Sequence, residues 1–342
     1  MKVDIFNLPK TKVVAGIEGK CILIHSDERK LGKTYQSCQM PKPLYIRFEQ
    51  GVNAINGLDH APISNWREFK DFNKQLTNPK TLEQVKEMYS TIIFDTVDVA
   101  IKWCDAYICQ TNGVTKIGDA NKGYGAWKEY ENEWFNEINK LTNAGYTVIF
   151  IAHSEPKTKI DPTTNEEYVQ MCPKGSKRDI DLILDLVDFI GYVKSNGYDE
   201  NGEEIPSSIY FANTKDFQAG SRFKYMPKII KHFTAQNVID AIKFAVKKEE
   251  EETGQKAISY EEKKQLECQE KIPFDEMMEK VGKYGNLLKD KGYGDKVTEI
   301  IEEVLGVGKK VGECTERQYD AVGVVLDELK DAAKELSLEI KE

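Results

Sequence analysis

Short apolar runs, each closed by a polar group, punctuate the first two-thirds of the chain. Cys21-Ile22-Leu23-Ile24-His25 opens onto a polar stretch from Ser26 to Leu31, and Leu44-Tyr45-Ile46-Arg47-Phe48 runs into Glu49-Gln50-Gly51. Thr91-Ile92-Ile93-Phe94 ends in Asp95-Thr96, and Thr147 to Ala152 leads to His153-Ser154. Runs this short and this apolar predict buried strands. The stretches between them, Thr34 to Gln39, Ser64 to Tyr89 and Trp127 to Leu141, are amphipathic and predict crossover helices. Strands alternating with helices are the mark of a mostly parallel sheet. In the last stretch Trp127, Tyr130, Trp134, Ile138 and Leu141 recur at helical spacing. They predict a stripe facing the core or sheet; a base-stacking platform is the other reading of the same side chains.

The polar segment from Glu155 to Arg178 is expected to be a long loop of functional character, since such loops are uncommon in compact domains. Asp179 then opens a helix, Ser208 to Ala212 predicts a strand, and Thr234 can cap a helix through Ala245. The charge run from Lys247 to Glu252, closed by Thr253-Gly254, predicts a boundary. The expected organisation is therefore a domain over residues 1–246, a charged linker over 247–257 and an acidic helical module over 258–342. In that module Ser259 with Glu262 and Thr315 with Gln318 have capping-box spacing. Val322, Val325, Leu329, Ala332 and Leu336 lie on one face of its final helix.

The polar groups at the strand ends carry the candidate chemistry. Gly32-Lys33-Thr34 follows a buried strand and a polar loop and opens a helix. In that order, backbone N–H groups can cradle phosphates, the Lys33 ammonium can reach the β- and γ-phosphates, and the Thr34 hydroxyl can ligate Mg²⁺. The pattern G-x-x-x-x-G-K-[ST] places glycine where this chain has Asp27, whose side chain would crowd the phosphates and whose charge would repel them. Asp95 ends a strand as a Mg²⁺ ligand opposite a phosphate loop would, or as a helix cap would. Glu49 is placed to orient and deprotonate water, with a solvated strand terminus as its plainer role. His153 can donate to a γ-phosphate or simply pack.

Taken in order, Gly32-Lys33-Thr34, Phe48-Glu49-Gln50-Gly51, Ile93-Phe94-Asp95-Thr96, Ile151-Ala152-His153 and Leu186 to Gly191 resemble the RecA-like P-loop ATPases. The resemblance is greatest to the phage-type ATP-binding proteins of the Sak single-strand-annealing group. It spans about residues 15 to 230, with Asp27 and Thr96 as departures. It implies an α/β fold, a RecA-like P-loop NTPase with a mostly parallel sheet flanked by helices, here followed by a small C-terminal helical module. It further implies Gly32, Lys33 and Thr34 on ATP and Mg²⁺, Asp95 as the Walker B acid, Glu49 as the base and His153 as a γ-phosphate sensor. Lys215 and Arg222 become candidates for reaching a neighbour's nucleotide in a homo-oligomer with nucleotide between subunits. The implied partner is single-stranded DNA, together with a phage single-strand-binding or recombination protein.

Charge modifies that picture without reversing it. The 342 residues sum to −9, which argues against nucleic acid, but residues 251–342 hold 15 basic and 23 acidic side chains, or −8, leaving −1 for the rest. A nearly neutral ATPase part can carry a local basic face. Lys116, Lys122, Tyr124, Trp127 and Lys128 mix charge with aromatic faces, and Lys157, Lys159, Lys174, Lys177 and Arg178 form a second basic group. Solvated surface is the plainer role for both. Seven cysteines without a C-x-x-C pair support neither a disulfide framework nor a zinc site. No apolar stretch approaches the length of a membrane span, so the expected location is the cytoplasm, that of the host if phage-encoded. Two rivals share the phosphate loop: a nucleotide-gated scaffold or regulator with weak ATPase activity and no direct DNA role, and a small-molecule kinase. The kinase reading is the weaker, because no Arg-rich lid stands between the core strands.

Overall fold

The structure is a computed structural model that describes residues 10–48, 55–267, 273–315 and 318–338. One compact unit covers Lys12–Lys263; a second is carried by the chain after Lys263. The first is built on a sheet with strands β1 (Cys21–Ser26), β2 (Pro43–Arg47), β3 (His60–Ala61), β4 (Thr91–Asp95), β5 (Thr147–Ile160), β6 (Glu167–Pro173), β7 (Phe189–Lys194), β8 (Ser208–Tyr210), β9 (Gly220–Ser221) and β10 (Ile229–Ile230). Their order is β10-β8-β7-β1-β5-β4-β2-β3, with β6 pairing β5 and β9 pairing β7. From β7 to β3 the neighbours are parallel, and β8, β9 and β10 add an antiparallel flank.

Alternation within each apolar run supplies both faces of the sheet. Leu23, Leu44, Ile46, Phe94 and Phe150 pack on one side with Trp66, Phe69, Tyr130 and Trp134 from the helices Trp66–Leu76 and Trp127–Asn143. Ile22, Ile24, Ile93 and Ile149 pack on the other with Val238 and Ile242 of the helix Ala235–Thr253. Because β1, β4, β5 and β2 run the same way, their carboxyl ends meet along one edge, where open α/β sheets gather functional groups. One strand, β5, separates β1 from β4.

Two expectations change. The polar segment after His153 is a hairpin arm: β5 continues to Ile160 and pairs antiparallel with β6, from Ser154 opposite Pro173 to Ile160 opposite Glu167. Both faces of this arm carry polar side chains, which hid the strand period. Asp161 turns it by accepting the Thr163 N–H at 2.9 Å. The charge run at 247–252 is the last part of the helix Ala235–Thr253, ended by Gly254 in the left-handed conformation at φ 68°. Lys248 and Glu251 pair at 2.7 Å one turn apart, so the alternating charges support helix where composition suggested a linker. The chain then stays on the first unit. Ile258 exchanges backbone hydrogen bonds with Val13 and Ala15, and the Tyr260 hydroxyl donates to the Thr142 carbonyl at 2.8 Å. The boundary accordingly falls near residue 264.

The second unit is helical, with Phe274–Asp290, Gly294–Leu305 and Tyr319–Glu335 closing on Val281, Leu288, Val297, Val322, Val325 and Leu329. Both capping-box spacings act at helix starts. Ser259 and Glu262 exchange side-chain-to-backbone bonds at 2.7 and 3.1 Å, and the Gln318 side-chain Oε1 accepts the Thr315 N–H at 2.8 Å. Among the described residues no helix is long and apolar enough to cross a membrane.

Candidate nucleotide site

The site grows from the end of β1. After Ser26 the chain turns through Asp27 to Leu31, and Gly32 takes φ 80° before the helix Lys33–Ser37. A Cβ on Gly32 would meet only Gln36 Cγ at 3.8 Å, so it is the left-handed backbone rather than space that calls for glycine. The first N–H groups of a helix lack acceptors within it, which makes this turn a cradle for anions. Lys33 is buried, and its Nζ donates to the Glu28 carbonyl at 3.1 Å. Burial pulls its ammonium below the usual lysine range, and Asp95 is foremost among the charges that pull it back.

Thr34 and Asp95, far apart in sequence, meet here. The Thr34 hydroxyl donates to Asp95 Oδ2 at 2.7 Å, and the Tyr45 hydroxyl donates to the same oxygen at 3.2 Å. Asp95 is buried at the end of β4, opposite Arg47 of β2 and Ile151 of β5. A hydroxyl and a carboxylate oxygen within reach of one another, beside a lysine, are the hard oxygen donors that Mg²⁺ takes. The residues present therefore fit a magnesium–nucleotide complex: Lys33 and the loop N–H groups toward phosphate, Thr34 and Asp95 toward the metal.

His153 lies beside Ser26 across the β1–β5 pairing, on the same edge as the loop, and its carbonyl accepts the Lys174 N–H at 2.9 Å. Glu49, the expected base, lies outside the described residues; Phe48, just before it, donates its N–H to the Asp95 carbonyl at 3.2 Å. Asp27 has a different partner from the one its motif position suggests, since its Oδ1 accepts a hydrogen bond from the Tyr192 hydroxyl of β7. Sequence reasoning missed Tyr192 and a second buried residue behind the loop, His25. His25 is fully buried, with Nε2–H donating to the Gln218 carbonyl at 2.6 Å and Nδ1 accepting from the Ser154 hydroxyl at 2.8 Å. Burial brings its imidazole down to about 4. A histidine inside an otherwise apolar strand was the available signal.

Lys215 and Arg222 part company. Lys215 pairs with Asp161 at the arm's turn at 2.6 Å, whereas Arg222 stands at the amino end of β7, donating to the Asp185 carbonyl at 2.6 Å and lying 3.6 Å from Asp188. That is the edge opposite the phosphate loop, so the two cannot serve one nucleotide from the same direction. Of the basic candidates, Arg178 lies 3.8 Å over the ring of Trp127, which joins the two basic segments; Trp127 is 38% exposed while Tyr130 and Trp134 are buried. Tyr124, beside Lys122, is 87% exposed. Lys116, Lys122 and Lys128 are exposed on that segment. Lys177 pairs with Asp181 at 2.5 Å, and Lys157 donates to the Gly175 carbonyl at 2.7 Å. Lys174 borders a recess of about 370 Å³ that it shares with Lys102, Asp98, Glu155 and Asp179.

A family model described as an AAA domain matches residues 19–223, from the residues before β1 through Phe223. The chain belongs to that family. This AAA-domain chain is also 44% identical, over 336 residues, to the SPbeta prophage-derived uncharacterized protein YorG of Bacillus subtilis (strain 168), covering 98% of this chain and all of that protein. The match to the AAA domain stops short of the helical unit, whereas the likeness to YorG runs through it.

Proposed function

We propose that the protein binds and hydrolyses ATP with Mg²⁺ and couples nucleotide state to single-stranded DNA in phage-type recombination or strand annealing, as a member of the Sak-like group. The observation that carries the nucleotide part is the Thr34–Asp95 bond at 2.7 Å beside buried Lys33. Bound magnesium would neutralise charge developing on the transferred phosphoryl group. Lys33 would hold the phosphates, Glu49 would orient water, and His153 would meet the terminal phosphate from β5. Because His153 and Ser154 open the arm, a change at the phosphate has a short covalent path to the β5–β6 hairpin.

The DNA part is supported by Arg178 on Trp127 and by exposed Tyr124 among Lys116, Lys122 and Lys128, a mixture suited to backbone and base faces without sequence reading. The prophage origin of YorG favours the phage setting. Nucleotide held between subunits of a homo-oligomer is part of this reading, with Lys215 the better placed of the two trans-acting candidates. A second reading, a nucleotide-gated scaffold with weak hydrolysis, draws on the ion pairs that already occupy Lys177 and Lys215. Steady-state ATPase activity with and without single-stranded DNA separates the two. Stimulation by DNA is expected; ATP binding with no DNA response would favour the scaffold, and no ATP binding would overturn both.

A further inference from the structure

The loop keeps an acid where its motif has glycine, and the structure shows what that acid touches. Asp27 follows β1 directly, and its Oδ1 accepts the hydroxyl hydrogen of Tyr192. Tyr192 has little freedom: it is buried, its ring stacks on Phe217 at 4.2 Å with the planes 7° apart, and it meets the edge of the His25 ring at 5.2 Å. Burial, and then the Asp27 carboxylate, push the Tyr192 hydroxyl well above its ordinary range, so it remains a donor. The next residue is held to the same strand end, because Glu28 Oε1 accepts the Ser195 N–H at 3.4 Å. Two consecutive acids of the loop are thus tied toward the carboxyl end of β7.

We propose that Tyr192 is a positioning residue of the phosphate loop, holding the Asp27 carboxylate against β7 so that it stays off the phosphates. The inference rests on the reading of this loop as a nucleotide site. Its physical basis is simple. Like charges that approach to about 4 Å near a protein surface weaken binding on the order of tenfold or more, and a donor locked by stacking removes that approach without removing the acid. Tyr192 and Asp27 therefore act as a pair: with glycine at position 27 the hydroxyl has nothing to hold.

The test is the affinity for ATP, by calorimetry, of the full chain and of Tyr192→Phe, Asp27→Gly and the double variant, with Lys33→Ala alongside. Phenylalanine keeps the stack on Phe217. Tyr192→Phe should weaken binding about tenfold when Asp27 is present and less than twofold when position 27 is glycine. Asp27→Gly alone should stay within about twofold of the parent, because Tyr192 already prevents the repulsion. Asp27→Asn, placed in the Tyr192→Phe background, should restore affinity by removing the charge. Equal effects of Tyr192→Phe in both backgrounds, no effect in either, or tenfold tighter binding by Asp27→Gly alone would each overturn the inference. If Lys33→Ala binds ATP like the parent, the nucleotide reading itself falls and takes the inference with it. Loss of binding in Lys33→Ala together with an inert Tyr192→Phe sinks the inference alone.

Discussion

The two ends of β1 carry the same kinds of side chain and hold them in opposite ways. At the amino end Lys20 is buried and donates to the carbonyls of Val14 and Gly16; Asp188 accepts the Cys21 N–H at 3.0 Å, and Arg222 lies against Asp188 and the Asp185 carbonyl. These partners are backbone groups or are fixed by backbone, and a ligand could replace them only by opening the sheet. At the carboxyl end Lys33 leans on one loop carbonyl, while Thr34 and Asp95 hold each other through side chains. Those bonds can be exchanged for phosphate and metal with the strands left in place. Buried charge alone therefore does not distinguish a site from a structural clasp. The replaceability of its partners does.

The sharpest way to break the comparison is to neutralise acids at both ends. Asp95→Asn and Glu49→Gln should cut ATP hydrolysis by a factor on the order of 10² to 10⁴, the first through weaker Mg²⁺ dependence and the second with ATP still bound. Asp188→Asn should instead lower stability by about 1–2 kcal/mol and leave turnover per folded molecule unchanged. Single-turnover hydrolysis and denaturant melts on the same preparations decide it. Wild-type turnover in Glu49→Gln would assign the base elsewhere. The lysines give the next contrast. Lys33→Ala should weaken ATP on the order of 100-fold with little change in melting, whereas Lys20→Met should cost about 1–3 kcal/mol of stability with ATP affinity intact. If both variants lost ATP equally, the distinction between the two ends would be wrong.

Much of the carboxyl end was legible because its residues lie at the ends of apolar runs, and a strand that stops displays its last polar group at the sheet edge. Asp95 and His153 could be read this way, and Gly32, Lys33 and Thr34 as the loop-to-helix turn that follows such a run. What could not be read depended on pairing across the sheet. Nothing local to Asp27 announces Tyr192, which is 165 positions away. The arm escaped notice because its side chains are mostly polar, and of its buried positions Gln170 is itself polar, so the apolar alternation that reveals strands is missing. Arg222 was grouped with Lys215 by closeness in sequence, yet the chain between them crosses the sheet from one edge to the other. The charge run at 247–252 misled through composition, since alternating Lys and Glu suit a long helix as well as a linker.

His25 extends the comparison to pH, since it is a titratable group buried in the very strand whose ends differ. Its imidazole is held neutral down to about 4, while the unfolded chain takes up the proton near the ordinary 6.5. Between those values the unfolded state binds more protons, so stability rises with pH through this window and levels off above it, with a slope of up to about 1.4 kcal/mol per pH unit. The cumulative loss at pH 4 should be about 3 kcal/mol relative to pH 7. His25→Gln should flatten that part of the profile in melts taken from pH 4 to 8. An unchanged slope would place the acid sensitivity in other groups.

The smallest expected effect concerns DNA and again sets one edge against the other. Arg178 reaches Trp127, and Lys174 and Lys177 stand close to it in sequence, so removing all three as alanines should weaken single-stranded DNA binding roughly tenfold at moderate salt. Each lost phosphate contact should also flatten the logarithmic salt dependence by about 0.7. The observed flattening is expected to fall short of three contacts, because Lys177 is already paired with Asp181 and Lys174 faces a recess shared with Asp98, Glu155 and Asp179. Arg222→Ala, on the opposite edge and bound to Asp188, should leave the slope as it is. Fluorescence anisotropy on labelled single strands, with ATP and at two salt concentrations, reads both variants. A salt slope lowered by Arg222→Ala and untouched by the triple variant would move the DNA path to the amino edge. Binding by neither the parent nor the chain truncated after Lys263 would leave the face around Trp127 and Arg178 without a nucleic-acid role and favour the nucleotide-gated scaffold.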